Sequence, residues 1–209
     1  MNIIVSDNNG HYHFRPDNTL TKGSGEYYLP ASIEYIEIIP AIAIRIDRAA
    51  KRLSGQFAHR YISKYLYGLL IYPQAKGQYL SSGCQEKPST QKSLKDISSL
   101  QTVLETTLDN TTYTSEDLIH LEEVGQQESI ISLTIDNHLY LYKIPPSALL
   151  KEKIYEFIER VTIHSSLKTG DLLFLELEPE TAKQIIQTQQ GADISLSIEK
   201  IEMLRVKIR

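Results

Sequence analysis

Leu167-Lys168-Thr169-Gly170-Asp171-Leu172-Leu173 is the stretch from which the rest of the chain can be read. Gly-Asp ahead of an apolar run is turn chemistry: glycine accepts positive φ, and the aspartate side chain bonds backbone nearby. The run from Leu172 to Leu177 has the composition of a strand. About twenty residues on comes Gly191-Ala192-Asp193-Ile194-Ser195-Leu196-Ser197-Ile198, and then Ile201-Glu202-Met203-Leu204-Arg205-Val206. Ile194 to Ile208 therefore supplies further strands.

Working outward, the segment before this turn is the clearest helix. It starts after Pro145-Pro146, with Ser147 as the expected N-cap. Leu150, Ile154, Phe157, Ile158 and Val161 form one apolar stripe, while Lys151, Glu152, Lys153, Glu156, Glu159 and Arg160 face water. Before the helix, Ile130 to Ile135 and Leu139 to Ile144 flank Asp136-Asn137-His138, which predicts a hairpin. Tyr61 to Tyr72 and Ile36 to Ile46 read as strands. Pro40 inside the latter predicts an edge position, a bulge or a strand start. Only Gln74 to Thr114 departs in composition. It is rich in Ser, Thr, Gln and Lys, and Leu94, Ile97, Leu100, Val103 and Leu104 recur at helical spacing. We read 74–114 as a surface excursion carrying short helices. Many strands and few helices give an α+β chain, mainly β with flanking helices, in one domain spanning 1–209.

Composition excludes several function classes. The 209 residues hold 22 Lys+Arg against 26 Asp+Glu, a formal charge of −4 without a basic block. Such a chain has no electrostatic reason to bind nucleic acid or an anionic membrane. No apolar run approaches the ~20 residues that span a bilayer. Met1 to Asp7 turns polar too early for a secretory leader, and the single cysteine, Cys84, excludes an internal disulfide framework. The expected compartment is the cytoplasm.

Three segments, in order, are similar to one family. The first is His13-Phe14-Arg15-Pro16, then Leu20 and Leu29-Pro30. The second is Ala41-Ile42-Ala43-Ile44-Arg45-Ile46, followed by Tyr61-Ile62-Ser63-Lys64-Tyr65. The third is the Gly170-Asp171 turn with the strands after it. Together they resemble the C-terminal, catalytic-type domain of the fumarylacetoacetate hydrolase family. The resemblance implies a mixed β-sandwich roll and a homodimer. Catalytic members cleave or decarboxylate β-dicarbonyl acids. They use a divalent cation such as Mg²⁺ to stabilise the enolate formed as the carbon–carbon bond breaks. The family holds it with two glutamates one residue apart on a strand and an aspartate from a later strand. Placed in that register, this chain has Ile39 and Ala41 at the glutamates and Leu70 at the aspartate. Apolar side chains have no lone pairs, so the expectation is no metal, no cofactor and no catalytic residue of the family type. The alternative is a Mg-dependent C–C bond hydrolase or oxo-acid decarboxylase that uses Glu34 and Glu37 in a shifted register.

Further departures agree with the first reading. Where catalytic members carry a Thr-Gly-Thr-Pro-like turn, this chain has Leu175-Glu176-Leu177-Glu178-Pro179-Glu180, whose charge repels an anionic dicarboxylate. The terminal hairpin, usually glycine-bearing, has Lys200 and Glu202. The candidates left for ligand binding are Arg15, Glu37, Lys76 and His13. Arg15 matches a position where the family has a pocket-facing lysine, which suits a small organic anion. Lys76 lies near where the family has a second lysine. His11 and His13 flank Tyr12, and strand alternation puts both imidazoles on one face, with no third metal ligand nearby. Tyr61, Tyr65, Tyr67 and Tyr72 pack either the core or a subunit contact. The functional expectation is a divergent, non-catalytic fumarylacetoacetate hydrolase-like protein, a pseudoenzyme acting as a small-ligand-binding or structural dimer.

Overall fold

A computed structural model describes residues 1–7, 10–75, 106–123, 125–180, 185–187 and 191–209. In chain order the first strands are β1 (Ile3–Ser6), β2 (Tyr12–Arg15), β3 (Leu20–Lys22), β4 (Gly25–Tyr27), β5 (Ile33–Ile46), β6 (Ile62–Ala75), β7 (Thr112–Thr114) and β8 (Ile119–His120). The later elements are β9 (Ser129–Ile135), β10 (His138–Ile144), helix α1 (Ser147–His164), β11 (Leu172–Glu176), β12 (Glu178–Pro179), β13 (Ile185–Gln187), β14 (Asp193–Ile198) and β15 (Ile201–Ile208). The fold is mainly β, as expected.

The chain builds two mixed sheets. The larger runs β2-β1-β11-β5-β6-β7-β3, with β13 also on β5 and β8 also on β6. The smaller runs β12-β10-β9-β14-β15-β4. Strands β5 and β6 pair along nearly their whole length, Ile39 opposite Leu70 and Ala41 opposite Gly68. Both faces of this pair are buried, which is why their sequences run apolar without alternation. The even face of β5 (Ile36, Ile38, Ile42, Ile44, Ile46) joins a large core shared with the second sheet and with Leu150, Ile154, Phe157, Ile158 and Val161 of α1. The odd face (Ile39, Ala41, Ala43) joins a smaller cluster with Ile3, Val5, Leu66, Leu70, Tyr72, Leu172 and Phe174, all from the larger sheet. That sheet is thus curled around its own interior. Arg15 of β2 spans the curl, bonding groups of β6 and the β7 region at the far end of the strand order.

Two local expectations are corrected. Pro40 lies in the middle of a central strand, neither at its edge nor at its start. On one side it faces Leu69 of β6; on the other, the partner changes from β11 (Ala41 to Arg45) to β13 (Tyr35 to Glu37). The Pro40 carbonyl accepts from the Leu177 amide at 2.9 Å. Within one strand residue N–H and C=O point to the same side, so the donor that proline lacks falls in the gap between two partners. Ser147 is the first helical residue rather than the cap; Pro146 stands at the N-cap, without a side-chain cap bond. The proline fixes the direction in which the chain enters the first turn but has no oxygen with which to accept from the first amides, so it does not replace the capping hydroxyl expected there.

The Gly170-Asp171 turn forms as read. Gly170 has φ +90°, and Asp171, buried, accepts from the amide and side chain of Asn2 (2.7 and 2.9 Å) and from the Lys168 amide (2.8 Å). The motif therefore clamps the start of β1 beside β11, which the parallel Ile3–Leu172 register requires. The hairpin β9–β10 turns at Asp136, φ +52°, and pairs Ile135 with His138. The helices expected at 94–104, Lys76 and Cys84 lie outside the described residues.

Candidate functional site

The site is best built from the floor of the roll. Alternation along the paired strands puts Ile3 and Val5 (β1), Leu172, Phe174 and Glu176 (β11), Glu37, Ile39, Ala41 and Ala43 (β5), and Leu66, Leu70 and Tyr72 (β6) on the inner face. Ile39, Ala41 and Leu70 are buried and adjacent, so the positions the resemblance assigns to cation ligands do come together. They carry no atom that coordinates a cation. Beside them Phe174 fills the interior: its ring lies so close to Gly68 that a Cβ there would meet Cε1 at 2.7 Å. Glycine at 68 is what lets the ring seat.

One same-face step along, the chemistry changes. Glu37 stands opposite Tyr72 in the β5–β6 register. The Tyr72 hydroxyl donates to Glu176 Oε1 at 2.5 Å, and the Arg15 guanidinium sits 4.3 Å over the Tyr72 ring. The His13 ring is 6.1 Å from the same ring, edge-on. Tyr72 is thus the hub of a polar collar made of His13, Arg15, Glu37 and Glu176. Burial, above all, raises the Tyr72 hydroxyl well above its usual 10, with Glu176 adding to the rise and Arg15 opposing it. Tyr142, whose hydroxyl lies near the Ile38 carbonyl at 3.5 Å, is raised to about 12 by burial and then by Glu37. Burial and Arg15 together lower His13 from 6.5 to about 4, against a smaller opposing pull from Asp7.

Arg15 is almost wholly buried. Its Nη1 donates to the carbonyls of Ile71 (3.3 Å) and Thr111 (3.0 Å) and to Thr112 Oγ1 (3.1 Å). Arg15 stands at the collar, and this nitrogen is spent on acceptors of the protein itself. His13 also stands at the collar, with Nε2 buried and lacking a hydrogen-bond partner among the described residues. His11 does not share its face: it precedes β2, is exposed, and pairs with Asp7 at 3.2 Å. Tyr65 and Tyr67 are buried in the large core with hydroxyls 3.2 Å apart. Tyr72 and Glu176 are the collar residues that sequence reading missed. Their signal was the β5–β6 register, which places Tyr72 opposite Glu37 as soon as Ile39 is set opposite Leu70.

A cleft of about 360 Å³ opens beside the ends of β1 and β11, against α1. Leu149, Leu150, Leu175 and Leu177 line it, and Glu176 connects it to the collar. Its charges are Asp7, Glu128, Glu156, Glu176 and Glu178 against Lys143, Lys153 and Arg160. The cations are engaged: Lys143 with Glu128 (3.1 Å), Lys153 with Glu178 (3.4 Å), Arg160 with the Gly10 carbonyl (2.7 Å). Among the described residues no group of three or more His, Cys, Asp or Glu could hold a metal ion, and no helix is long and apolar enough to cross a membrane.

The architecture matches solved structures along its whole length. Fumarylpyruvate hydrolase from Pseudomonas aeruginosa, in complex with Mn²⁺ and pyruvate, aligns over 100% of this chain and 89% of its own, with TM-score 0.72 and 13% identity. A protein from Yersinia pestis assigned to the fumarylacetoacetate hydrolase family aligns over 100% and 92%, with TM-score 0.71 and 14% identity. The chain has the fumarylacetoacetate hydrolase fold. The same fold includes 2-hydroxyhepta-2,4-diene-1,7-dioate isomerase from Mycobacterium marinum, aligned over 99% of this chain and 73% of its own (TM-score 0.69, 16% identity). In sequence, no protein-family model and no curated protein matches.

Proposed function

We propose that this chain is a divergent member of the fumarylacetoacetate hydrolase family that no longer runs the family's metal-assisted chemistry and works as a small-ligand-binding or structural homodimer in the cytoplasm. The observation that carries this reading is the buried apolar layer of Ile39, Ala41 and Leu70, with the Phe174 ring seated on Gly68 beside it. A hard dication asks for several oxygen ligands at about 2.0–2.6 Å. Here it would meet methyl and methylene groups and an aromatic edge.

For binding, the cleft beside Glu176 is the available volume, in the range of small-molecule sites. Its excess of carboxylates opposes the small organic anion that the resemblance implies and suits a ligand bearing a positive charge, or both signs. The competing reading, a Mg-dependent hydrolase or decarboxylase of small oxo-acids, would have to recruit Glu37 and Glu176 from the collar. Metal analysis after purification in Mg²⁺ and Mn²⁺, with calorimetry against oxalate as an enolate mimic, separates the two. The expected result is no retained metal and no metal-dependent oxalate heat. Tight Mg²⁺-dependent oxalate binding would overturn the proposal. Sedimentation equilibrium at twice the chain mass is the expected result for the dimer, and a monomer across the concentration range would remove that part.

A further inference from the structure

The strand β2 lies at one end of the larger sheet and, among the described residues, pairs with β1 alone, Ile3 with Arg15 and Val5 with His13. Alternation turns His13 and Arg15 inward and Tyr12 and Phe14 outward. Outside, Tyr12 packs on Phe157 of α1 at 6.4 Å, while Phe14 is exposed. Inside, three hydrogen bonds from Arg15 Nη1, to Ile71, Thr111 and Thr112, carry β2 across the roll. Beside this clasp stands an imidazole with its Nε2 buried and, among the described residues, without a hydrogen-bond partner.

We propose that β2 is a strap across the mouth of the roll, clasped by Arg15 and released when a proton on His13 sets a second positive charge beside that clasp. A charge buried without a partner is costly, and a like charge nearby adds to the cost. The strap can relieve both by lifting into water, because it has one strand neighbour rather than two. The groups facing His13 are Arg15 on its own strand, Asp7 after β1, and Tyr72 of β6; Tyr72 in turn holds Glu176 of β11 and stands opposite Glu37 of β5. Of these, Asp7 is the one anion that favours protonated His13, and it already pairs with His11. The displacement of His13 from 6.5 to about 4 agrees with the geometry. Lifting β2 takes His13 and Arg15 away from Tyr72 and uncovers Glu37, Glu176 and the apolar layer below them, so the device controls entry to the interior. It stands independently of whether the interior binds a ligand.

Hydrogen exchange of the full chain, followed by mass spectrometry at pH 7 and about pH 4.5 and expressed as protection factors, tests the strap. With His13 titrating near 6.5 when open and near 4 when closed, protection of the Tyr12–Arg15 amides should fall by about 50- to 100-fold. Protection in α1 and the second sheet should not change. His13→Gln and His13→Phe should abolish the loss in β2; two variants guard against one failing to fold. The carboxyl groups of Asp7, Glu37 and Glu176 remain in both, so an equal loss in the variants assigns the effect to them and overturns the proposal. Loss in α1 together with β2, or unchanged β2 protection in the parent protein, overturns it as well.

Discussion

Gly68→Ala tests the packing on which the functional reading stands. The added methyl would lie 2.7 Å from Phe174 Cε1, 3.0 Å from Cδ1 and 3.4 Å from the Ala41 carbonyl oxygen. Carbon atoms pack at about 3.5–4.0 Å, so the ring must retreat by roughly 0.8–1.3 Å. Phe174 is fully buried among Ile39, Ala41, Leu70 and their neighbours, and has nowhere to go without displacing them. Overpacking of this kind costs about 1–3 kcal/mol; we expect about 2 kcal/mol, or a Tm lowered by about 4–8 °C. With no tryptophan in the chain, urea unfolding is followed by far-ultraviolet circular dichroism. The decisive measurement is a double-mutant cycle. Phe174→Leu alone costs about 1–2 kcal/mol through lost burial, but it vacates the space above residue 68. Adding Gly68→Ala in that background should then cost under about 0.5 kcal/mol, a coupling of about 1.5 kcal/mol. If Gly68→Ala is neutral, or costs the same with leucine at 174, the ring does not fill the interior and the layer is open to a ligand after all.

Other outcomes rest on the same interior and its supports. Arg15→Met should cost about 1–3 kcal/mol, since it takes the guanidinium from the buried Ile71 carbonyl and Thr112 hydroxyl while the Thr111 carbonyl keeps the Ile71 amide, and an unchanged urea midpoint would contradict the clasp. Between β14 and β15, Glu199 and Lys200 both hold positive φ (+49° and +71°), a two-residue turn suited to Asn-Gly. Glu199→Asn with Lys200→Gly should therefore raise stability by about 1 kcal/mol, and a lowered Tm would refute it. His13 takes up its proton less readily when folded, so from about pH 6.5 down to about 4 the unfolded chain binds more protons and stability falls with pH. Allowing for screening at a partly exposed ring, the loss is about 2–3 kcal/mol relative to His13→Gln, measured as paired urea midpoints across that window.

Much of this fold could be read directly from the chain because its long elements carry strong periodic signals. The β9–β10 hairpin, the α1 stripe and the paired strands β5 and β6 stand where expected. Short strands did not announce themselves: β3, β4 and β7 have three residues each, too few for alternation to be distinguished from chance. Pro40 misled for a definite reason. The usual rule assumes that a central strand has one continuous partner on each side, and here the partner changes at the proline. At the site, Ile39, Ala41 and Leu70 could be expected to lie together because register propagates along a strand, and they do lie together. Arg15, Glu37 and His13 were singled out without a common place, and the fold brings all three to the collar around Tyr72. Tyr72 and Glu176 escaped because a tyrosine inside an apolar run reads as core and a glutamate in a turn reads as solvated.

The parallel pairings of β1 with β11 and of β4 with β15 join stretches made far apart in time. Ile3, Ile4 and Val5 cannot be sheltered on the ribosome until Leu172 to Phe174 have left the exit tunnel, and Tyr27 waits for Ile208. During most of synthesis, at about 5–20 residues per second, the apolar flanks of β5 therefore have only the β6 hairpin as shelter. A chain wired this way keeps apolar strands unpaired late into its synthesis, and its yield on expression should respond to the supply of holding chaperones more than to point changes on its surface.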